Sequence, residues 1–372
     1  MERQLERRKE PEPVEMSRQT EEQWARREEE KKRLASLPHV IQHDDIPWVQ
    51  MSQAFYKGFT GVGIKGRLTR LPLFSMTLSA QILNPGSKSG KHRHFNEAIL
   101  YIVEGEGYSI HDDIKYTCEA GDIVCVPTYT IHQHFNASPS KEVKVFFSTP
   151  SPVFELAGLS YHEQIEMHPK YRIPEGVTPL QNDKGQFIGY KDKDGKEYRI
   201  SEVDTQSQSL FQGRRGVESP VVIKNTYDHY LNELVEESRW HRSLLHVVKQ
   251  KERPWEDTRM GRMKYLAHWP TIPSGLRLFD SFIQEIPPGG RSGKHRHVSE
   301  EVHFILEGKG YDIHDGTRWD WQKESIVCIP VNTTHQHFNT DPSRPARFLS
   351  FQSRFYHYLG HGGIEHMEDA PK

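Results

Sequence analysis

Along most of the chain the apolar positions fall in short runs, such as "EAILYIVEG" from Glu97, "DIVCVP" from Asp122 and "VKVFFS" from Val143. β-Branched and aromatic residues fill these runs, and Gly, Asp and Pro punctuate them, which predicts strands. Strands of that length at that spacing suit a sandwich or small barrel. Two segments break the pattern. "TEEQWARREEEKKRL" from Thr20 and "TYDHYLNELVEESRW" from Thr226 predict charged helices of the kind that cover a surface.

The pattern occurs twice. Residues from Gly86 to Asn136 align without a gap on Gly289 to Asn339, always 203 positions apart, and roughly half the positions are identical. Upstream, after a four-residue shift, "LPHVIQHDDIPWV" from Leu37 matches "LLHVVKQKERPWE" from Leu244. The repeat unit is therefore helix, lead-in, strand-rich body and tail. That is too long for a solenoid repeat of about 20–50 residues and predicts two packed domains. The expected organisation is a charged extension over 1–16, a first domain with its leading helix over 17–166, a connector over 167–223 and a second domain with its helix over 224–372. The connector carries a hairpin signal at Lys193-Asp194-Gly195.

Composition narrows the chemistry. With 49 basic and 51 acidic residues in 372, there is no net positive field to hold nucleic acid. No apolar run approaches the ~20 residues of a membrane-spanning helix. The N-terminus "MERQLERRKEPEPVE" lacks the apolar stretch of a secretory signal, so a soluble, cytoplasmic protein is expected. Of the three cysteines, Cys118, Cys125 and Cys328, the last two hold equivalent places in the copies and read as small apolar residues of buried strands, with no disulfide framework.

The 22 histidines carry the candidate site. His92 and His94 lie two apart on a predicted strand and share a face, and His132 follows a later strand and turn that a barrel brings alongside. His295, His297 and His335 repeat the set. Three converging imidazoles suit a transition metal and leave coordination positions open.

These residues resemble the two motifs of the cupin superfamily. Gly90, His92, His94 and Gly105 match the first motif, and Gly121, Pro127, His132 and Asn136 the second. In the later copy Gly293, His295, His297, Glu301, Gly308, Pro330, His335 and Asn339 match, with Glu324 in place of Gly121. The resemblance implies an all-β fold of two tandem cupin jelly-roll barrels with a few flanking helices. "HRHFNEAILYIVEGEG" followed by "PTYTIHQHFN" is similar to the gentisate, salicylate and hydroxynaphthoate ring-cleaving dioxygenases. That group holds Fe(II) with three histidines and no glutamate, and here the glutamate position is Ala98, with Glu97 one residue off and facing away. The second copy departs, because Glu301 fills that position and His303 shares its strand parity, as in oxalate decarboxylase and other manganese cupins.

Three readings follow. The first is an Fe(II) dioxygenase taking an aromatic hydroxy acid and O2 at His92, His94 and His132. The second is a manganese or iron lyase or decarboxylase at His295, His297, Glu301 and His335. The third is a non-enzymatic metal- or ligand-binding bicupin. Arg67 and Arg70 are candidates to hold a substrate carboxylate, because arginine matches that geometry. Tyr129 and His134 are candidates to line the first pocket, and His337 corresponds to His134. His111 and His314 are expected at hairpin turns and Arg93 on the outer face. A homo-oligomer is expected of a bicupin.

Overall fold

In the computed structural model the described residues are 18–42, 46, 49–50, 54–58, 71–159, 161–168, 178–181, 183, 187–191, 194–199, 222–269, 271–360 and 362–371. Residues Met1–Pro38 and His39–Lys372 form two compact units. The described part of the first is the helix Arg18–Ala35, with Glu21 in its first turn and Lys32 and Arg33 in its last. That arrangement suits the helix dipole. The helix Thr226–Ser243 of the second unit begins where Asn225 Oδ1 accepts from Asp228 N at 3.1 Å, an N-terminal cap.

The second unit holds two β-barrels, each made of a seven-stranded and a five-stranded sheet. In barrel 1 the larger sheet runs in the order Val247–Val248, Ile123–Val126, Ala98–Glu104, Val143–Thr149, Thr77–Leu83, Phe55–Gly58 and Val49–Gln50. The smaller runs His162–Glu166, Lys91–His94, His132–Asn136, Glu106–His111 and Ile114–Glu119. Barrel 2 repeats both orders. Between the barrels, Phe187–Lys191 pairs antiparallel with Thr178–Gln181 and with Glu197–Arg199. The second pairing is the hairpin expected around Gly195, whose φ is +80°.

The lead-in of each copy does not stay with its own barrel. Val247–Val248, from the second copy, pairs with Val124 and Ile123 of barrel 1. Val40–Ile41, from the first, pairs with Val327 and Ile326 of barrel 2. The reason is period two. Ile99 and Tyr101 face away from their own barrel into a cluster shared with Val302 and Phe304, whereas Ala98, Leu100 and Ile102 face inward. Phe146 stacks on Phe304 at 4.8 Å and Phe351 at 5.4 Å within this shared core. Cys125 and Cys328 lie there too, as free buried thiols. Gly121, with φ +97°, has the Gln250 side chain where a Cβ would project. The second copy meets the same left-handed corner with Glu324 at φ +67°.

Two buried carboxylates lock the barrels together. Glu97 accepts from Arg277 N at 2.9 Å and Leu278 N at 2.7 Å. Glu300 accepts from Phe74 N at 2.6 Å, Ser75 N at 2.8 Å and Ser75 Oγ at 2.7 Å. Each carboxylate thus satisfies two backbone donors of the opposite barrel. Replacing Glu300 by Ala strands those donors, at a cost of about 2–4 kcal/mol. Urea unfolding should show this as a lower midpoint, and an unchanged midpoint would sink the account.

Candidate metal centres

The strand Lys91–His94 lies between His132–Asn136 and His162–Glu166, with His132 directly opposite His92. Barrel 2 sets His295 opposite His335 in the same register. The donor atoms of His92, His94 and His132 lie within 4.8 Å of one another, as do those of His295, His297, Glu301 and His335. The sequence-derived ligand sets are therefore brought together in both barrels, and all seven side chains are buried.

The rings are oriented for a metal. His92 Nδ1 donates to Gly90 O at 3.2 Å, His94 Nδ1 to Asn96 O at 2.6 Å and His132 Nδ1 to Thr130 O at 2.9 Å. His297 and His335 do the same to Ser299 O at 2.7 Å and Thr333 O at 2.9 Å. A carbonyl only accepts, so each Nδ1 carries the proton and each Nε2 presents a lone pair to the centre. His335 Nε2 is buried without a hydrogen-bond partner, as expected of an atom whose partner is an ion. These residues fit a divalent metal.

Burial first, then neighbouring imidazoles, holds His92 and His94 well below the ordinary histidine range. Burial lowers His132 and His295 to about 3 and His134 to about 4. All of these are neutral at neutral pH. Glu301 Oε2 lies 2.8 Å from His297 Nε2, while its Oε1 lies 2.9 Å from His303 Nε2 and accepts from Ser350 Oγ at 2.5 Å. The attraction of His303 and His297 outweighs burial and holds the Glu301 carboxyl well below its usual range. It is a carboxylate.

Several placements differ from expectation. Arg93 is buried and paired with Glu163, with its guanidinium 4.4 Å over the Tyr129 ring. The tail strand pairs beside the metal strand and sets Glu163 opposite Arg93, and Glu163 with Tyr129 buries that side chain. Tyr129, at φ +61°, stacks on Phe95 at 5.3 Å and Tyr161 at 5.7 Å. It packs the closing loop against the metal strand. His111 and His314 each end a strand at a hairpin turn, and both are buried. His111 Nδ1 lies 2.7 Å from His246 Nδ1, and His314 Nδ1 lies 2.8 Å from His39 Nδ1. The exchanged lead-ins supply these partners, so each pair joins histidines from the two copies. His134 Nδ1 and His111 Nε2 meet at Ser109 Oγ, at 3.0 and 2.7 Å. Arg67 and Arg70 lie outside the described residues.

One neighbour was missed. His162, on the tail strand opposite His94, stacks on His92 at 5.1 Å. The corresponding pairing in barrel 2 is Ile364 with His297. The histidine in "SYHEQIE" was the only signal, and it became visible once the strand order was known.

The family described as cupin domain matches residues 80–149 and 282–351, one stretch in each barrel. Each barrel thus contains a cupin domain. Among curated relatives, 1-hydroxy-2-naphthoate 1,2-dioxygenase of Nocardioides sp. strain KP7 is 30% identical over 108 residues, 29% of this chain and 28% of that one. Gentisate 1,2-dioxygenase 1 of Aquipseudomonas alcaligenes is 23% identical over 78% of this chain and 73% of its own. The first of these alignments thus spans under a third of the relative's length. Salicylate 1,2-dioxygenase of Pseudoaminobacter salicylatoxidans, solved as adducts with gentisate, is similar in fold at TM-score 0.56 and 14% identity, covering 95% of both chains. An oxalate decarboxylase of Lactobacillus farciminis, solved as its formate complex, reaches 0.53 at 11% identity, covering 88% of both. Among the described residues no helix is long and apolar enough to cross a membrane.

The depressed histidines set the pH response of the metal-free protein. His39 and His246, each lowered to about 4 mainly by burial, stay neutral in the fold, whereas the unfolded chain protonates near 6.5. Between those values the unfolded state binds more protons, so stability falls as pH falls. Thermal melts of metal-free protein from pH 7 to 4.5 should decline steadily. His246→Gln should reduce the slope, and an unaltered slope would refute the assignment.

Proposed function

We propose that barrel 1 is the active centre of an Fe(II)-dependent ring-cleaving dioxygenase that takes an aromatic hydroxy acid or related phenol and O2. The observation that carries this reading is the contrast between the two centres. Among the described residues, the barrel 1 group is three imidazoles with no carboxylate. At the glutamate position stands Ala98, which packs with Leu100, Val126 and Val145 in an apolar cluster. The relatives' activities are consistent with it.

His92, His94 and His132 would hold the ion, leaving its full charge of plus two for an anionic chelating substrate and positions for O2. A bound iron supplies the redox chemistry that ring cleavage by O2 requires. The chain's own residues bind, orient and exclude water. Ala98 and Leu100 keep the inner wall apolar where an aromatic ring has to lie. His162 stacks on the face of His92 and fixes that ring's plane. His134, held neutral by burial, is in the form that accepts a proton from a phenol. Its link through Ser109 to His111 and His246 continues that path toward the lead-in of the other copy.

The test is oxygen uptake by anaerobically Fe(II)-loaded protein over gentisate, salicylates, hydroxynaphthoates, catechols and hydroquinones. Uptake with one compound, with loss of its ring absorbance, is expected, and His132→Ala should lower it at least about 100-fold. Silence across the panel with iron bound would overturn the reading. A second reading is favoured by Glu301, which makes barrel 2 a three-histidine, one-glutamate centre suited to a manganese or iron lyase or decarboxylase. It predicts that Glu301→Ala, and not His132→Ala, removes turnover without oxygen.

A further inference from the structure

The two barrels differ at more than Ala98 and Glu301. Leu100 in barrel 1 corresponds to His303, Ser109 to Asp312 and Phe147 to Ser350, each 203 positions on. All four positions face inward or line the same floor, and together they change from apolar or neutral to metal-ligating or hydrogen-bonding. His134 is matched by His337. The outcome in barrel 2 is a second group of donors, His303, Asp312 and His337, whose ligand atoms lie within 4.8 Å of one another. All three side chains are 1–2% exposed.

The donors of this group are already held against one another. Asp312 Oδ2 lies 2.8 Å from His337 Nδ1 and 3.4 Å from His314 Nε2. All three atoms are buried, and the contacts are ion-pair contacts between a carboxylate and two imidazoles. The other oxygen of Asp312 is fixed, accepting from Trp321 Nε1 at 2.7 Å, so Oδ2 is held pointing into the cluster. In barrel 1 Cys118 stands at the position of Trp321 and no carboxylate needs steering. His303 is likewise held, stacked on Phe348 at 3.9 Å.

We infer that barrel 2 binds a second divalent transition-metal ion at His303, Asp312 and His337, and that Glu301 bridges it to the ion at His295, His297 and His335. Glu301 is placed for this, with Oε2 beside His297 and Oε1 2.9 Å from His303 Nε2. An ion with donors at about 2.0–2.2 Å sets donors at right angles about 3 Å apart, close to the 2.8 and 2.9 Å seen here. Two imidazoles and two carboxylate oxygens form a mixed nitrogen–oxygen set suited to Mn, Fe, Co or Zn. Barrel 1, with Leu100 and Ser109, holds one ion only. The inference concerns ion count and is independent of the reaction assigned to barrel 1.

The experiment uses full-length protein carrying His92→Ala and His94→Ala, so that only barrel 2 is read. After Co(II) loading and gel filtration, elemental analysis should find two ions per chain. Asp312→Ser and His303→Leu, each inserting the residue that barrel 1 already carries, should each reduce this to one, with melting and circular dichroism confirming the fold. Should a variant not fold, EPR of the Mn(II)-loaded parent decides independently. A bridged pair gives an exchange-coupled spectrum, in place of the signal of isolated ions. One ion per chain in the parent, two ions in parent and variants alike, or an isolated-ion spectrum at full loading would each overturn the proposal.

Discussion

Everything in this molecule hangs on the seam between the barrels, where a buried carboxylate from each side accepts backbone N–H groups from the other. Glu97 and Glu300 sit on the residue just before the inward position, so period two commits them to the seam while Ala98 and Glu301 face the centres. A single strand thus builds the interface with one face and the metal pocket with the other. The lead-ins follow the same logic. Each pairs with the strand carrying Cys125 or Cys328 in the opposite barrel and brings a histidine, His246 or His39, against the inner imidazoles. Seam and centres are mechanically one structure.

Much of this was legible from residues. The doubling, the strands and the clustering of six histidines follow from alternation and a fixed spacing, because in a strand the face a residue occupies is set by counting. Glu97 pointing away from the metal position followed from the same count, but its partners did not, since Arg277 and Leu278 lie 180 and 181 residues further on. The exchange of lead-ins was invisible for the same reason: "LPHV" and "LLHV" announce strands without saying which barrel receives them. Counting could not show that the tail strand would pair beside Arg93 and set Glu163 against it. Asp312 hid inside a hairpin signal, and His162 inside a tail whose similarity between copies is slight.

The two floors show how little separates a neutral pocket from a charged one. Ala98, Leu100 and Phe147 leave three imidazoles beside an apolar wall. Glu301, His303, Asp312 and Ser350 fill the equivalent volume with polar groups that grip one another and any ion present. The backbone registers of the two barrels are the same, so the difference in chemistry is carried by side chains alone.

The exchanged lead-ins have an implication for the history of the chain. A polypeptide half this length could build the same seam only as a symmetric pair, each member lending its leading strand to its twin. In such a pair any change to one floor appears in both. Joining the copies in a single chain keeps the mutual loan and frees the floors to differ, so the fusion itself is what allowed one scaffold to carry two dissimilar centres.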